Sequence, residues 1–344
     1  MKGERIPSME SVLDTRSEVV AFKISPMYIE TDETGPIFIF HDIFIGEDEF
    51  GVKSIYFVAP LTHRYWNSVD TLKNNVDFEL HGTDGNTKMI VNAFDHIPTE
   101  YKEYYLTGEL SHPNLQKMLA FNQLSSSTLT PCVNITVSDR TKSRSQNFQL
   151  CDEGPDRLLS NIFNSSSHTL KKGELIVLST IFKSNDAREV NNYVIYYLSI
   201  GVDCIVLYLH GSFEQYPEIG KLASKYKKED LPVIFAEFNL GPYDIKSFLQ
   251  KQIHHVQLTS MLSVFYRIRG WAKWIGFFDL DEFLVLEYPF KSLRYRFSQH
   301  EQAYPLDGAI QYASCNALIN HINIVDSRYF FYACTNCQIS LSSA

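Results

Sequence analysis

The chain has 344 residues, 44% hydrophobic and 21% charged, which suits about two packed domains and excludes a wholly disordered chain. Its formal net charge is −9 and it carries no long Lys/Arg run, so nucleic acid is excluded as the main partner, because phosphate backbones need a basic footprint. No secretory signal is legible in the polar residues 1–11, and the apolar stretch from Tyr193 to Leu209 is broken by Gly201 and Asp203, so it reads as helix, turn and strand in a chain expected to be soluble as given.

In chain order, residues 1–17 read as a polar arm. Residues 18–165 read as a β-rich domain, with strands expected at 19–29, 36–45, 52–59, 76–80, 89–94, 132–137 and 147–151. Asp84-Gly85-Asn86 marks a hairpin, and a helix is expected near 114–121. Short strands at this spacing suggest an antiparallel sandwich. Residues 166–173, polar and small, are placed as a linker.

The rhythm then changes. Strands are expected at 174–182, 204–209, 232–238 and 274–278. Helices are expected at 186–198, with Asp186 at its start, at 216–226 and over 244–268. Alternation of this kind specifies an α/β fold with a mostly parallel sheet, whose ligands bind beyond the carboxyl ends of the strands.

Among the six cysteines, Cys132 and Cys151 are the expected bridge and Cys204 the expected buried hydrophobe. Cys334-Thr335-Asn336-Cys337 lacks a second ligand pair, which argues against zinc. Two sequons, Asn134-Ile135-Thr136 and Asn164-Ser165-Ser166, lean with the cysteines toward a lumenal or extracellular compartment.

The most informative segment is Phe277-Phe278-Asp279-Leu280-Asp281-Glu282-Phe283. An apolar strand runs into two aspartates at i and i+2 and then a glutamate. Crowded carboxylates repel, and burial adds desolvation. A hard divalent cation relieves both, and it fills its other coordination positions with water and substrate phosphates. A phosphatase of the haloacid-dehalogenase type also follows a strand with Asp-x-Asp. There the motif sits on the first strand, with a small or β-branched residue in the place that Phe283 occupies here.

Trp274-Ile275-Gly276-Phe277-Phe278-Asp279-Leu280-Asp281-Glu282-Phe283, with Gly201-Val202-Asp203 before a strand ending near Tyr208, resembles glycosyltransferase family 92. The resemblance covers roughly residues 174–320, with Asp307-Gly308-Ala309-Ile310 similar to the strand that follows. It implies a GT-A fold and a metal-dependent transfer of a hexose, galactose foremost, from a UDP-sugar to a glycan acceptor with inversion. It implies Mn²⁺ or Mg²⁺ held by Asp281 and Asp279, with Asp279 alternatively on the ribose and Glu282 bracing the loop. It places Lys183, in Phe182-Lys183-Ser184-Asn185, toward the base and His210 toward the ribose, and finds Glu189 where relatives often carry an acid. Asp307, Asp326 and His321 are the nearby candidates for the general base.

The family also implies a Golgi lumen or other secretory-pathway membrane, with a membrane anchor that this chain does not display. The strand after Asp307 reads Gln311-Tyr312-Ala313-Ser314, without the tryptophan common there. The region 174–344 is short for the fold, so a C-terminal truncation is expected. The competing reading is a catalytically inactive protein that binds glycan or nucleotide sugar.

Overall fold

In a computed structural model of the chain, the described residues are 22–24, 27–28, 39–40, 42–47, 52–61, 76–82, 85–88, 90–98, 104–111, 114–119, 132–139, 144–152, 173–238, 253–286 and 292–304. The first strands are short: β1 (Phe22–Ile24), β2 (Met27–Tyr28) and β3 (Ile39–Phe40). The expected single strand at 19–29 is therefore two, in different sheets. Pro26 lies between them and has no N–H to donate to a ladder.

Two four-stranded antiparallel sheets follow. One contains β4 (Asp42–Glu47), β5 (Lys53–Leu61), β8 (Ile90–Pro98) and β9 (Tyr104–Ser111), in the order β4-β5-β9-β8. The other contains β6 (Val76–Gly82), β7 (Gly85–Lys88), β10 (Cys132–Asp139) and β11 (Arg144–Cys151), in the order β11-β10-β6-β7. The rings of Phe57 and Phe78, one from each sheet, stack at 5.9 Å. The hairpin expected at Asp84-Gly85 is present, with Gly82 opposite Gly85. Residues 115–119 form the expected short helix.

Strand β9 was not expected. Its middle reads Thr107-Gly108-Glu109, which breaks the apolar alternation, and Gly108 is paired with Phe57 on one side and Phe94 on the other. A glycine between two aromatic positions leaves no periodic signal of its own.

On β10, Val133, Ile135 and Val137 are buried on one face, while on the other Asn134 is exposed and Thr136 is covered, donating to Asn147 at 2.6 Å. Cys132 and Cys151 are cross-strand partners and are joined by the expected disulfide. Cys204 is buried and free, and burial pushes its thiol up to about 12. Cys315, Cys334, Cys337 and Asn164 lie outside the described residues, as does the linker apart from Gly173.

The second architecture is a parallel sheet. It contains β12 (Leu175–Phe182), β13 (Cys204–His210), β14 (Val233–Phe238) and β15 (Ala272–Phe277), with β1 added in parallel beyond β14, in the order β1-β14-β13-β12-β15. Strands β12, β13 and β14 are buried almost throughout, as strands covered on both faces must be.

Successive residues alternate between two cores. Ile176, Leu178 and Phe182 face α1 (Ala187–Ser199) and α2 (Pro217–Lys228), whereas Leu175 and Val177 face α3 (Ile253–Ile268). Asp186 caps α1 by accepting from the Arg188 and Glu189 N–H groups. Gly201, with φ +100°, follows the end of α1 in a conformation that a side chain would strain. The long helix expected over 244–268 is described only from Ile253. None of the described helices is long and apolar enough to cross a membrane.

Helix α4 (Leu293–Ala303) was also not expected. It shows little amphipathic rhythm, since only Leu293 and His300 of its side chains are fully buried. Phe297 stacks on Trp274 at 4.9 Å, and Glu301 accepts from Trp274 Nε1 at 2.7 Å.

Candidate functional site

The chain runs outward from β12 through β13 to β14, then returns to place β15 on the other side of β12. The strand order therefore reverses between β12 and β15. In an open parallel sheet that reversal leaves a crevice at the carboxyl ends of the two strands. A small, partly enclosed recess of about 10 Å³, room for about one water, lies there. Ser179, Thr180 and Ile181 line it from β12, Ser260 and Met261 from α3, and Phe277, Phe278 and Asp279 from β15 and its end.

The acidic segment leaves β15 as a tight turn. The Glu282 N–H donates to the Asp279 carbonyl at 3.0 Å, and Glu282 Oε2 accepts from the Asp279 N–H at 3.1 Å. The first is an ordinary turn hydrogen bond, and the second is the half of a capping box in which the i+3 carboxylate reaches back to a backbone N–H. Leu280 and Leu284 are 8% and 7% exposed and anchor the segment in the core shared with α1. Asp279, Asp281 and Glu282 are exposed. The sequence reading expected burial to add to their repulsion; at these exposed positions desolvation contributes little.

The Asp281 carboxylate makes no hydrogen bond or ion pair among the described residues, and Glu282 is turned back onto the turn. No group of three or more His, Cys, Asp or Glu side chains suited to a metal occurs among the described residues. Asp279 and Asp281 are the two carboxylates of the turn that a metal ion, were one bound, would meet beside Glu282. Hard oxygen ligands in that number fit Mg²⁺ or Mn²⁺ of the kind whose remaining positions are filled by water and phosphate oxygens, and do not fit an all-protein cage.

Three tyrosines of α1 hold this turn from below. Tyr193 donates to the Phe278 carbonyl at 3.0 Å, Tyr196 to the Leu284 carbonyl at 2.6 Å, and Tyr197 to the Glu282 carbonyl at 3.0 Å. Tyr197 also accepts from the Leu284 N–H at 3.2 Å. Positions i, i+3 and i+4 put the three on one helical face. Phe283 packs among their rings, 5.1 Å from Tyr196 and stacked on Tyr197 at 6.3 Å. Burial raises the hydroxyl pKa of Tyr196 to about 12 and raises those of Tyr193 and Tyr197 as well, so all three stay protonated donors at physiological pH. The nearby Asp279 and Glu282 charges add to the rise at Tyr193. The sequence signal was present in the spacing of Tyr193, Tyr196 and Tyr197, but nothing in it said what the hydroxyls meet.

The other sequence candidates are spread along the same edge of the sheet. Lys183 is exposed just past the end of β12. Beyond it Ser184 Oγ donates to Glu189 Oε2 at 3.2 Å, which makes Glu189 a brace of the β12–α1 loop. His210 ends β13, two strands from the acidic turn, roughly 10 Å across the sheet at the usual strand spacing. After it Gly211 has φ +132°, and a Cβ there would sit 2.5 Å from Gln215 Oε1. Glu237, 8% exposed at the end of β14, accepts from the Phe213 N–H at 2.7 Å and fixes this loop. The sequence reading had not singled out Glu237. Asp307, His321 and Asp326 lie outside the described residues.

Gly201-Val202-Asp203 serves the architecture. Asp203 Oδ2 accepts from the Ile176 N–H at 2.7 Å and from Arg294 at 2.5 Å, at the end of the sheet opposite the cleft.

Compared with known protein families, residues 175–332 match the sequence model of glycosyltransferase family 92. No curated protein and no solved structure matches the chain.

Proposed function

We propose, on the premise that residues 175–332 are a glycosyltransferase family 92 region, that this transferase takes a hexose, galactose by the family resemblance, from a UDP-sugar and attaches it to a glycan acceptor with inversion in a GT-A-type site. The observation that carries the reading is the position of the Asp279–Glu282 turn, at the carboxyl end of β15 where the strand order reverses.

In this reading Asp281 and Asp279 hold a Mn²⁺ or Mg²⁺ ion together with the donor diphosphate. The cation supplies Lewis-acid charge against the negative charge that develops on the leaving UDP. An acceptor hydroxyl oxygen bonds to the anomeric carbon, the bond from that carbon to the diphosphate oxygen breaks, and the hydroxyl proton passes to a general base. Asp307 and Asp326, both inside the family match, are the candidates for the base. Lys183 and His210, at the ends of the two adjoining strands, face the nucleoside side of the donor.

Asp281→Ala should lower Mn²⁺-dependent UDP affinity at least about a hundredfold by calorimetry, the scale of a lost charge-assisted contact in a phosphate site. Affinity unchanged by the substitution and by chelator would end this reading. Metal-dependent binding without hydrolysis or transfer of any UDP-sugar would identify a binding protein.

We place the chain in an oxidising lumen of the Golgi type, as a glycoprotein. The Cys132–Cys151 bridge and the exposed Asn134 of the sequon on β10 support this. Secreted protein whose mass is unaltered by enzymatic N-deglycosylation, and unaltered by Asn134→Gln, would remove the glycoprotein assignment.

A further inference from the structure

The turn that carries Asp279 and Asp281 is irregular backbone, and irregular backbone needs partners for its carbonyls. The carbonyls of Phe278, Glu282 and Leu284 find them in the hydroxyls of Tyr193, Tyr197 and Tyr196. The helix that supplies those hydroxyls starts at Asp186, whose N–H donates to Ser184 Oγ and whose carboxylate caps the first turn. Helix α1 is thus bonded at its start to the loop leaving β12 and along its side to the loop leaving β15. These are the two loops that flank the crevice.

Resting on the donor-site reading above, we propose that Tyr193 and Tyr197 are positioning residues. They hold the acidic turn at a set height over the crevice and make α1 the strut that spaces the diphosphate end of the site from its nucleoside end. Tyr197 carries the larger share, because it donates to Glu282 and accepts from Leu284, bracketing Phe283 from both sides. Tyr193 secures the point where β15 gives way to the turn, one residue before Asp279. The rings alone would fill the same volume, since Tyr197 also stacks on Phe278 at 5.8 Å. What a phenylalanine lacks is the directional bond that fixes where each carbonyl points.

The test uses the full chain with Tyr193→Phe and Tyr197→Phe together, and Tyr197→Phe alone as the milder variant. Tyr226→Phe is the control, because its hydroxyl donates to Asn191 on the same helix at 2.9 Å but reaches no loop. In the double variant, which loses three hydrogen bonds to the turn, amide exchange across 279–284 should quicken at least about tenfold, and Mn²⁺-dependent UDP affinity should fall about tenfold. The control, which loses one buried hydrogen bond, should lower the thermal midpoint no more than the variants do and leave both readouts unmoved. Exchange no faster than in the control, or faster exchange with unaltered UDP affinity, overturns the inference. If Asp281→Ala also leaves affinity unaltered, the donor-site reading falls separately, and exchange alone then decides whether the tyrosines hold the turn.

Discussion

The two faces of the parallel sheet bury tyrosines in different ways. On the α1 side the hydroxyls of Tyr193, Tyr196 and Tyr197 end on neutral backbone carbonyls of the acidic segment. On the α3 side Tyr208 meets Ser263 at 3.1 Å, and Ser263 donates to Asp42 at 2.6 Å. Asp42 opens β4 of the antiparallel region and pairs with Arg267 of α3 at 2.9 Å, with both side chains nearly buried. Arg267 lies over the Phe44 ring at 3.9 Å, and Arg269 donates to Tyr56 at 2.6 Å. One face therefore uses uncharged bonds to shape a loop. The other uses a buried ion pair to join the N-terminal sheet to the parallel-sheet region. The two differ in what a substitution leaves behind: a lost hydroxyl leaves a neutral carbonyl, whereas a lost guanidinium leaves a buried carboxylate.

The largest expected effect follows from that difference. Arg267→Ala strands Asp42 and should cost about 3–5 kcal/mol of stability in denaturant unfolding. Tyr197→Phe, on the other face, should cost about 1 kcal/mol. If Arg267→Ala cost no more than Tyr197→Phe, the contrast between the faces would not hold.

A smaller effect is set by alkali. Burial raises the Tyr196 hydroxyl from its ordinary value near 10 to about 12. A group that ionises less readily when folded contributes its full stability below its unfolded pKa, and that contribution is lost as pH rises through the folded value. Stability should therefore be flat up to about pH 10 and fall between there and pH 12, with tyrosinate absorbance rising in step with unfolding. Tyrosinate absorbance that completes its rise near pH 10 in a folded protein would show these hydroxyls to be open to water.

Much of the parallel-sheet region was legible in advance because its strands are continuous apolar runs and its helices carry their own punctuation. Asp186 marks the start of α1, Gly201 its end and Pro217 the start of α2. The antiparallel region was less legible. Pro26 divided one expected strand into two, and Gly108 concealed another.

At the site, the spacing of Asp279 and Asp281 and the family resemblance were readable from residues alone, and so was the pairing of Cys132 with Cys151. Local chemistry determines such features: period, caps, carboxylate spacing, cysteines in neighbouring strands. Only the tertiary structure decided that β15 lies against β12, that the carboxylates stand exposed while Leu280 and Leu284 point inward, that Glu282 folds back to brace its own turn, and that tyrosines some 85 residues earlier in the chain close on the loop's carbonyls. Those contacts depend on where the strand order reverses and on which helix face is covered. Both are set by global packing, which no local window of sequence contains.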